Sequence, residues 1–230
     1  MPELHGIVLH GAVFDESHRI VETLTREEGK LGCIARGARA SKKRFAGGLD
    51  IFSTLVMIVE PGRSLWRLDS CQVVAARLGI RAGLDRFERA SRLTECARLL
   101  TNAHQTALEQ YDALEFGLDA CDRGDITSAI AGYAGLLEAA GIMPDLSVCA
   151  DCGDPDPARA SLSTRSFGIV CTRCGTGMRS YPRKSLRALA TGRAEDSASA
   201  DDAEDAALHW VEAHVGHTLK TRVTQIDHQR

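Results

Sequence analysis

Four cysteines in two tight pairs constrain this chain more than any other feature. Cys149-Ala-Asp-Cys152 and Cys171-Thr-Arg-Cys174 stand 18 residues apart, and each pair is followed by a glycine, Gly153 and Gly175. Two residues between sulfurs let one tight turn present both thiolates to a single ion. Two such turns complete the tetrahedral four-sulfur shell that Zn2+ favours. A zinc ribbon-like module is therefore expected at about residues 146–181. Two local disulfides and buried free thiols are the competing readings of the same residues. Four protein ligands close the shell, whereas a catalytic zinc keeps one position for water. The ion expected is therefore structural, one per chain, held by Cys149, Cys152, Cys171 and Cys174. Arg173 and nearby N–H groups help offset the negative charge of four thiolates.

The remaining cysteines, Cys33, Cys71, Cys96 and Cys121, are scattered singly in apolar or helical contexts. The opening MPELHGIVLHGAVF lacks a basic segment followed by a long apolar core, so no secretion signal is expected. The longest apolar run, Leu55-Val56-Met57-Ile58-Val59, is far too short to span a bilayer. A cytoplasmic protein is expected, and in a reducing compartment paired cysteines favour metal over bridges.

The first 70 or so residues are punctuated like short strands. Candidates are 5–14, 19–25, 31–36, 50–60 and 63–69, with turns at Glu28-Gly29-Lys30 and Pro61-Gly62. Five strands in this length suit a small closed sheet of OB type, although the pattern alone allows a barrel or a sandwich. Beyond residue 73 the period changes. Phe87, Ala90, Leu93, Ala97 and Leu100 recur at spacings of three and four, one apolar helical face. Helices are expected at 85–103, 109–122, 127–140, 182–191 and 203–222, with Gly141 ending the third and the acids of SASADDAED preceding the last. The fold class is thus α+β, with a 1–80 β unit, a boundary near GIRAGL, and an 81–230 helical unit carrying the cysteine module.

Charge is unevenly placed. The chain holds 28 Lys+Arg against 31 Asp+Glu, yet residues 35–45, ARGARASKKRF, place Arg36, Arg39, Lys42, Lys43 and Arg44 within nine positions. Residues 81–145 hold 6 basic against 11 acidic side chains. Strand-like sequence resumes soon after the basic stretch, so it reads as a loop within one unit rather than a linker. A sorting signal is the bland alternative. A loop loaded with Arg and Lys on a small barrel suits a phosphate backbone. Five contacts to a single strand predict that log K falls with log salt at a slope of roughly −3.5, from ~0.7 per contact. Phe45 and Trp66 are open to base stacking, with core packing the better reading of both.

Catalytic and nucleotide signatures are missing. Gly29-Lys30 has no phosphate-loop context, no GxGxxG follows a strand, and no Gly-x-Ser-x-Gly elbow occurs. The H-x-E context of a zinc deaminase is also absent. His209, His214 and His217 do not share one helical face, and Cys33 and Cys71 read as strand core. No enzyme activity is expected.

Taken in order, GIVL, RIVETLT…EEGKLGCIARGAR, SKKRFAGGLDIFSTL, LLEAAGIMPDLSVCADCG and SFGIVCTRCG resemble the RecO family of bacterial recombination mediators over nearly the full length. Departures fall at VFDESHRI and LDSCQVV. The resemblance implies an OB fold, a helical domain with an inserted zinc module, and binding of single- and double-stranded DNA. It implies annealing of complementary strands, contact with single-strand-binding protein, and, with RecR, loading of RecA onto coated strands. It places the protein in the cytoplasm, on the nucleoid when DNA-bound, and makes the five cations of the basic loop DNA contacts. The rival readings are an RNA- or ribosome-associated OB-fold and zinc-ribbon protein, and a metal-dependent enzyme.

Overall fold

A computed structural model describes residues 1–222 except 42, 46 and 48. Strands β1 (Glu3–Val13), β2 (Arg19–Thr25), β3 (Gly29–Ala35), β4 (Thr54–Glu60) and β5 (Trp66–Ala75) close into a barrel in the order β1-β2-β3-β5-β4. Burial alternates along β3, GKLGCIA, with the period of two that a half-buried strand requires. Leu31, Cys33 and Ala35 thereby face Val21, Leu55 and Met57 inside. The seam is a short parallel pairing of β3 with β5, from Cys33↔Trp66 to Ala35↔Leu68. This closure covers the open edges and gives the five-stranded OB arrangement.

The boundaries of β4 and β5 differ most from expectation. β4 begins at Thr54 rather than Asp50, because Phe52 takes a φ of 73° and is fully buried. Its ring leaves the sheet direction and meets Phe87 edge to face at 5.5 Å. β5 starts later and runs on to Ala75, since Met57↔Cys71 and Leu55↔Val73 continue its ladder with β4.

The α-helices that follow are α1 (Leu84–Leu100), α2 (Leu108–Arg123), α3 (Ile126–Ala139), α4 (Arg183–Thr191) and α5 (Ser197–Val215). Ala90, Leu93 and Ala97 of α1 are buried as the spacing predicts. α2 and α3 cross at Gly117 and Gly132, where a Cβ on Gly132 would stand 2.9 Å from the Gly117 Cα. Gly141, with φ of 69°, ends α3 as expected, closing the last turn as its N–H donates to the Glu138 carbonyl at 2.9 Å. α5 starts six residues earlier than expected. Asp196 and Ser199 form a reciprocal capping box, so the acidic stretch lies on the helix instead of ahead of it. There Glu204 is buried, accepting from Arg92 Nε at 2.7 Å and from the Tyr133 hydroxyl at 2.9 Å, and pairing with Arg89. Gly216, with φ of 77°, stops this helix short of the expected end at 222.

The barrel is mounted on the helices through its outward apolar residues. Ile7, Leu9, Leu24 and Phe52 belong to the same core as the helical interior. The seam is also ionic. Buried Arg77 donates to the Phe52 carbonyl at 2.7 Å, to Thr54 Oγ1 at 2.8 Å and to Asp119 of α2 at 2.7 Å. Asp112 of α2 pairs with Arg26 at 3.3 Å. Part of the acid surplus of residues 81–145 is therefore turned towards barrel arginines.

Between α3 and α4 lies a second sheet: β6 (Asp145–Cys149), β7 (Arg159–Ser163), β8 (Gly168–Cys171) and β9 (Ser180–Pro182), in the order β6-β8-β7-β9. Leu162, Ile169 and Tyr181 tie it to the core that holds Trp210 of α5. Among the described residues, no helix is long and apolar enough to cross a membrane.

Candidate nucleic-acid interface and metal centre

The basic stretch runs through turns between β3 and β4, at one end of the barrel. Arg36, Arg39, Lys43 and Arg44 are exposed; Lys42 lies outside the described residues. Among the described residues, no carboxylate pairs with these four. Arg44 nevertheless has partners. Its guanidinium donates to the Arg36 carbonyl at 2.8 Å and the Asp69 carbonyl at 3.3 Å, and lies 5.0 Å from the Phe45 ring centre. Its own carbonyl accepts from the Cys71 N–H at 2.8 Å. Arg44 thus pins the loop to β5, and Phe45, 5 % exposed, plugs the barrel end. Arg39 N–H donates to the Ser17 carbonyl at 3.3 Å, which ties the basic loop to the β1–β2 turn. Arg36, Arg39 and Lys43 are left facing solvent.

Not every cation of the barrel is available. Lys30, on β3, is half-buried and donates to the Arg98 carbonyl at the end of α1 at 2.6 Å. Burial lowers its pKa, against the pull of Glu22. The sequence missed the opposite case: Phe14, just past the end of β1, is 60 % exposed, whereas Phe45 is buried and Trp66 half-buried against the barrel core. Its one sequence signal is position, an aromatic beside the polar turn DES.

The structure gathers the four paired cysteines. Their sulfurs all lie within 4.8 Å of one another, with Cys149 and Cys171 buried and Cys152 and Cys174 exposed. The Cys152 and Cys171 sulfurs are 3.8 Å apart, the ~3.8 Å edge of a tetrahedron with metal–sulfur bonds near 2.3 Å. All eight cysteines are free. The knuckles are not equivalent. Gly153 has φ of 73° and needs the left-handed region, while Gly175 makes room, since a Cβ there would stand 2.8 Å from Val170.

Electrostatics favour a cation at this point. Burial opposes ionisation of Cys149, but backbone N–H groups of Cys171, Cys152 and Asp151 bring its thiol down to about 6. The Cys171 N–H stands 3.2 Å from the Cys149 sulfur. The Cys171 thiol is likewise lowered by the Cys174 N–H. Hydrogen bonding of Cys174 to the Cys171 and Cys152 sulfurs pushes its thiol up to about 12. Four adjacent sulfurs cannot all ionise alone, and a divalent ion removes that conflict. This donor set fits the expected metal. Arg173 contacts Asp154 at 3.3 Å, at the rim of the cluster.

Other sulfurs and imidazoles behave as packing groups. Burial pushes the Cys33 thiol up to about 12 and those of Cys71 and Cys121 to about 11. His214 packs against Trp210, ring centres 4.6 Å apart, and burial lowers the His209 pKa. Among the described residues, the cysteine set is the one group that could hold a metal.

Comparison with known proteins agrees with this architecture. The family description "Recombination protein O N terminal" matches residues 1–77 and "Recombination protein O C terminal" matches residues 81–223. The DNA repair protein RecO of Anaeromyxobacter sp. (strain K) is 35% identical, over 96% of this chain and 94% of its own length. That of Myxococcus xanthus is 40% identical over 76% of this chain and 72% of its own. That of Rubrobacter xylanophilus is 29% identical over 91% and 89%. With barrel and helical parts both matched, and relatives aligned along nearly the whole chain, this protein belongs to the RecO family of DNA repair proteins.

Proposed function

We propose that this protein is a non-enzymatic recombination mediator that binds single- and double-stranded DNA through the β3–β4 loop and anneals complementary strands. With RecR it helps load RecA onto strands coated by single-strand-binding protein, acting in the cytoplasm at the nucleoid. Residues 1–80 form its nucleic-acid-binding domain. Residues 81–230 form the helical domain, in which Cys149, Cys152, Cys171 and Cys174 hold one structural Zn2+.

One observation carries the DNA reading: Arg36, Arg39 and Lys43 are exposed at one barrel end, and among the described residues no carboxylate neutralises them. Cations left free in this way can neutralise phosphates and release the counterions condensed on the DNA, which is the source of a salt-dependent affinity. Lys42 completes the set by sequence, and Arg44 adds charge while holding the loop. The zinc braces the β6–β9 sheet and takes no part in chemistry, because four sulfurs fill its shell.

Binding to a labelled single strand across a salt series tests the loop. Arg39→Ala with Lys43→Ala is expected to flatten the log–log salt slope by about 1.4, from ~0.7 per contact. An unchanged slope overturns the assignment. Annealing of complementary strands coated with single-strand-binding protein then tests the mediator role, and an inert protein in that assay refutes it.

A further inference from the structure

We propose that Phe14 is a base-stacking residue, which with the neighbouring outer face of β2 and β3 makes the DNA site select unpaired bases. This rests on the assignment of the basic loop to DNA.

The strand register places Phe14 beside that loop. Val13 pairs with Arg19, and Arg19 pairs with Ala35, so one row crosses β1, β2 and β3 at the barrel end. Phe14 and Arg36 each follow directly from that row. The Phe14 N–H donates to the His18 carbonyl at 3.1 Å, closing the turn, and Arg39 is bonded to Ser17 within the same turn. The aromatic and the free cations are therefore held by one connected piece of backbone.

The adjoining row, Ala12↔Ile20 and Ile20↔Ile34, points outward from the barrel. Ile20 and Ile34 are half-buried and Ala12 is exposed, so this part of the face is apolar and open. At the other end of the same strands Leu24 is buried under the helices, and Lys30 is bonded to α1. The open stretch is thus short, room for a few bases rather than a long track. Phe14 is 60 % exposed, so its ring is open to a partner, and covering it would gain hydrophobic free energy. Beside unpaired cations, the partner whose chemistry matches both features is a nucleotide, with its phosphate on Arg or Lys and its base on the ring.

Duplex DNA keeps its bases stacked inside and offers nothing to Phe14. Single-stranded affinity should therefore depend on this residue, whereas the cations serve both forms. Stacking is also insensitive to salt, so its loss shifts affinity without altering the slope.

The test is fluorescence anisotropy with a thymidine oligonucleotide, an abasic strand of equal length, and a duplex, across a salt series. Phe14→Ala is expected to weaken oligonucleotide binding by about five- to a hundredfold. It should leave the salt slope and the abasic and duplex affinities as in the parent, and Phe14→Trp should restore binding. Phe14→Ala binding like the parent, or losing equally on abasic strands, overturns the proposal. Arg39→Ala with Lys43→Ala, run in parallel, separates the two failures. A flattened slope beside an indifferent Phe14→Ala removes stacking alone, and an unaltered slope removes the loop assignment beneath it.

Discussion

Arg44 and its neighbours show what one side chain's surroundings decide. Five cations are equivalent in the sequence, but Arg44 spends its guanidinium on two carbonyls and the Phe45 ring. Arg44→Ala is expected to cost about 1 kcal/mol of stability, because it removes both hydrogen bonds and the cation over the ring. It should flatten the salt slope less than Lys43→Ala does. Urea denaturation beside salt-dependent binding checks both. Asp125 is a second residue whose role is local. It caps α3, accepting from the Ser128 N–H at 3.1 Å and the Thr127 hydroxyl at 2.8 Å. Hydrogen bonds from Ser128, then Thr127, hold its carboxyl down at about 2. A depressed folded pKa stabilises above the ordinary carboxylate value of 3.8, and the share is lost as pH falls through about 2. Asp125→Ala should cost about 1 kcal/mol at neutral pH. The gap between variant and parent should close in urea titrations at about pH 2.

At the scale of elements, period and punctuation were readable wherever local chemistry dominates. The alternation of GKLGCIA marks β3, the three-four spacing marks α1, and Gly141 marks the end of α3. Boundaries set by distant partners were not readable. Phe52 leaves the strand direction for Phe87, thirty-five positions on, and acids along α5 are drawn to arginines of α1. Glu204 is the strongest case, since 4 % of it is exposed and it compensates both Arg89 and Arg92. Glu204→Leu leaves two buried guanidinium groups without their shared carboxylate, and should cost about 3–5 kcal/mol. A urea midpoint close to that of the parent would show that the arginines find other partners.

Across the whole molecule, the cysteine module and the barrel should respond separately to metal. Metal analysis of the purified protein should give about one zinc per chain. Chelation should then raise hydrogen exchange in β6–β9 and the face of α5 beneath them, while β1–β5 keep their protection. Equal protection with and without metal would refute a bracing role. The sequence alone determined the pieces whose causes are local: strand and helix periods, two CxxC turns with their glycines, and the concentration of positive charge in residues 36–44. Only the tertiary structure decided which of these groups remain free. Packing consumed Phe45, Lys30 and the guanidinium of Arg44, brought four sulfurs within 4.8 Å, and left Phe14 exposed. Freedom of a charge or a ring depends on neighbours brought close by folding, and sequence spacing does not record those distances.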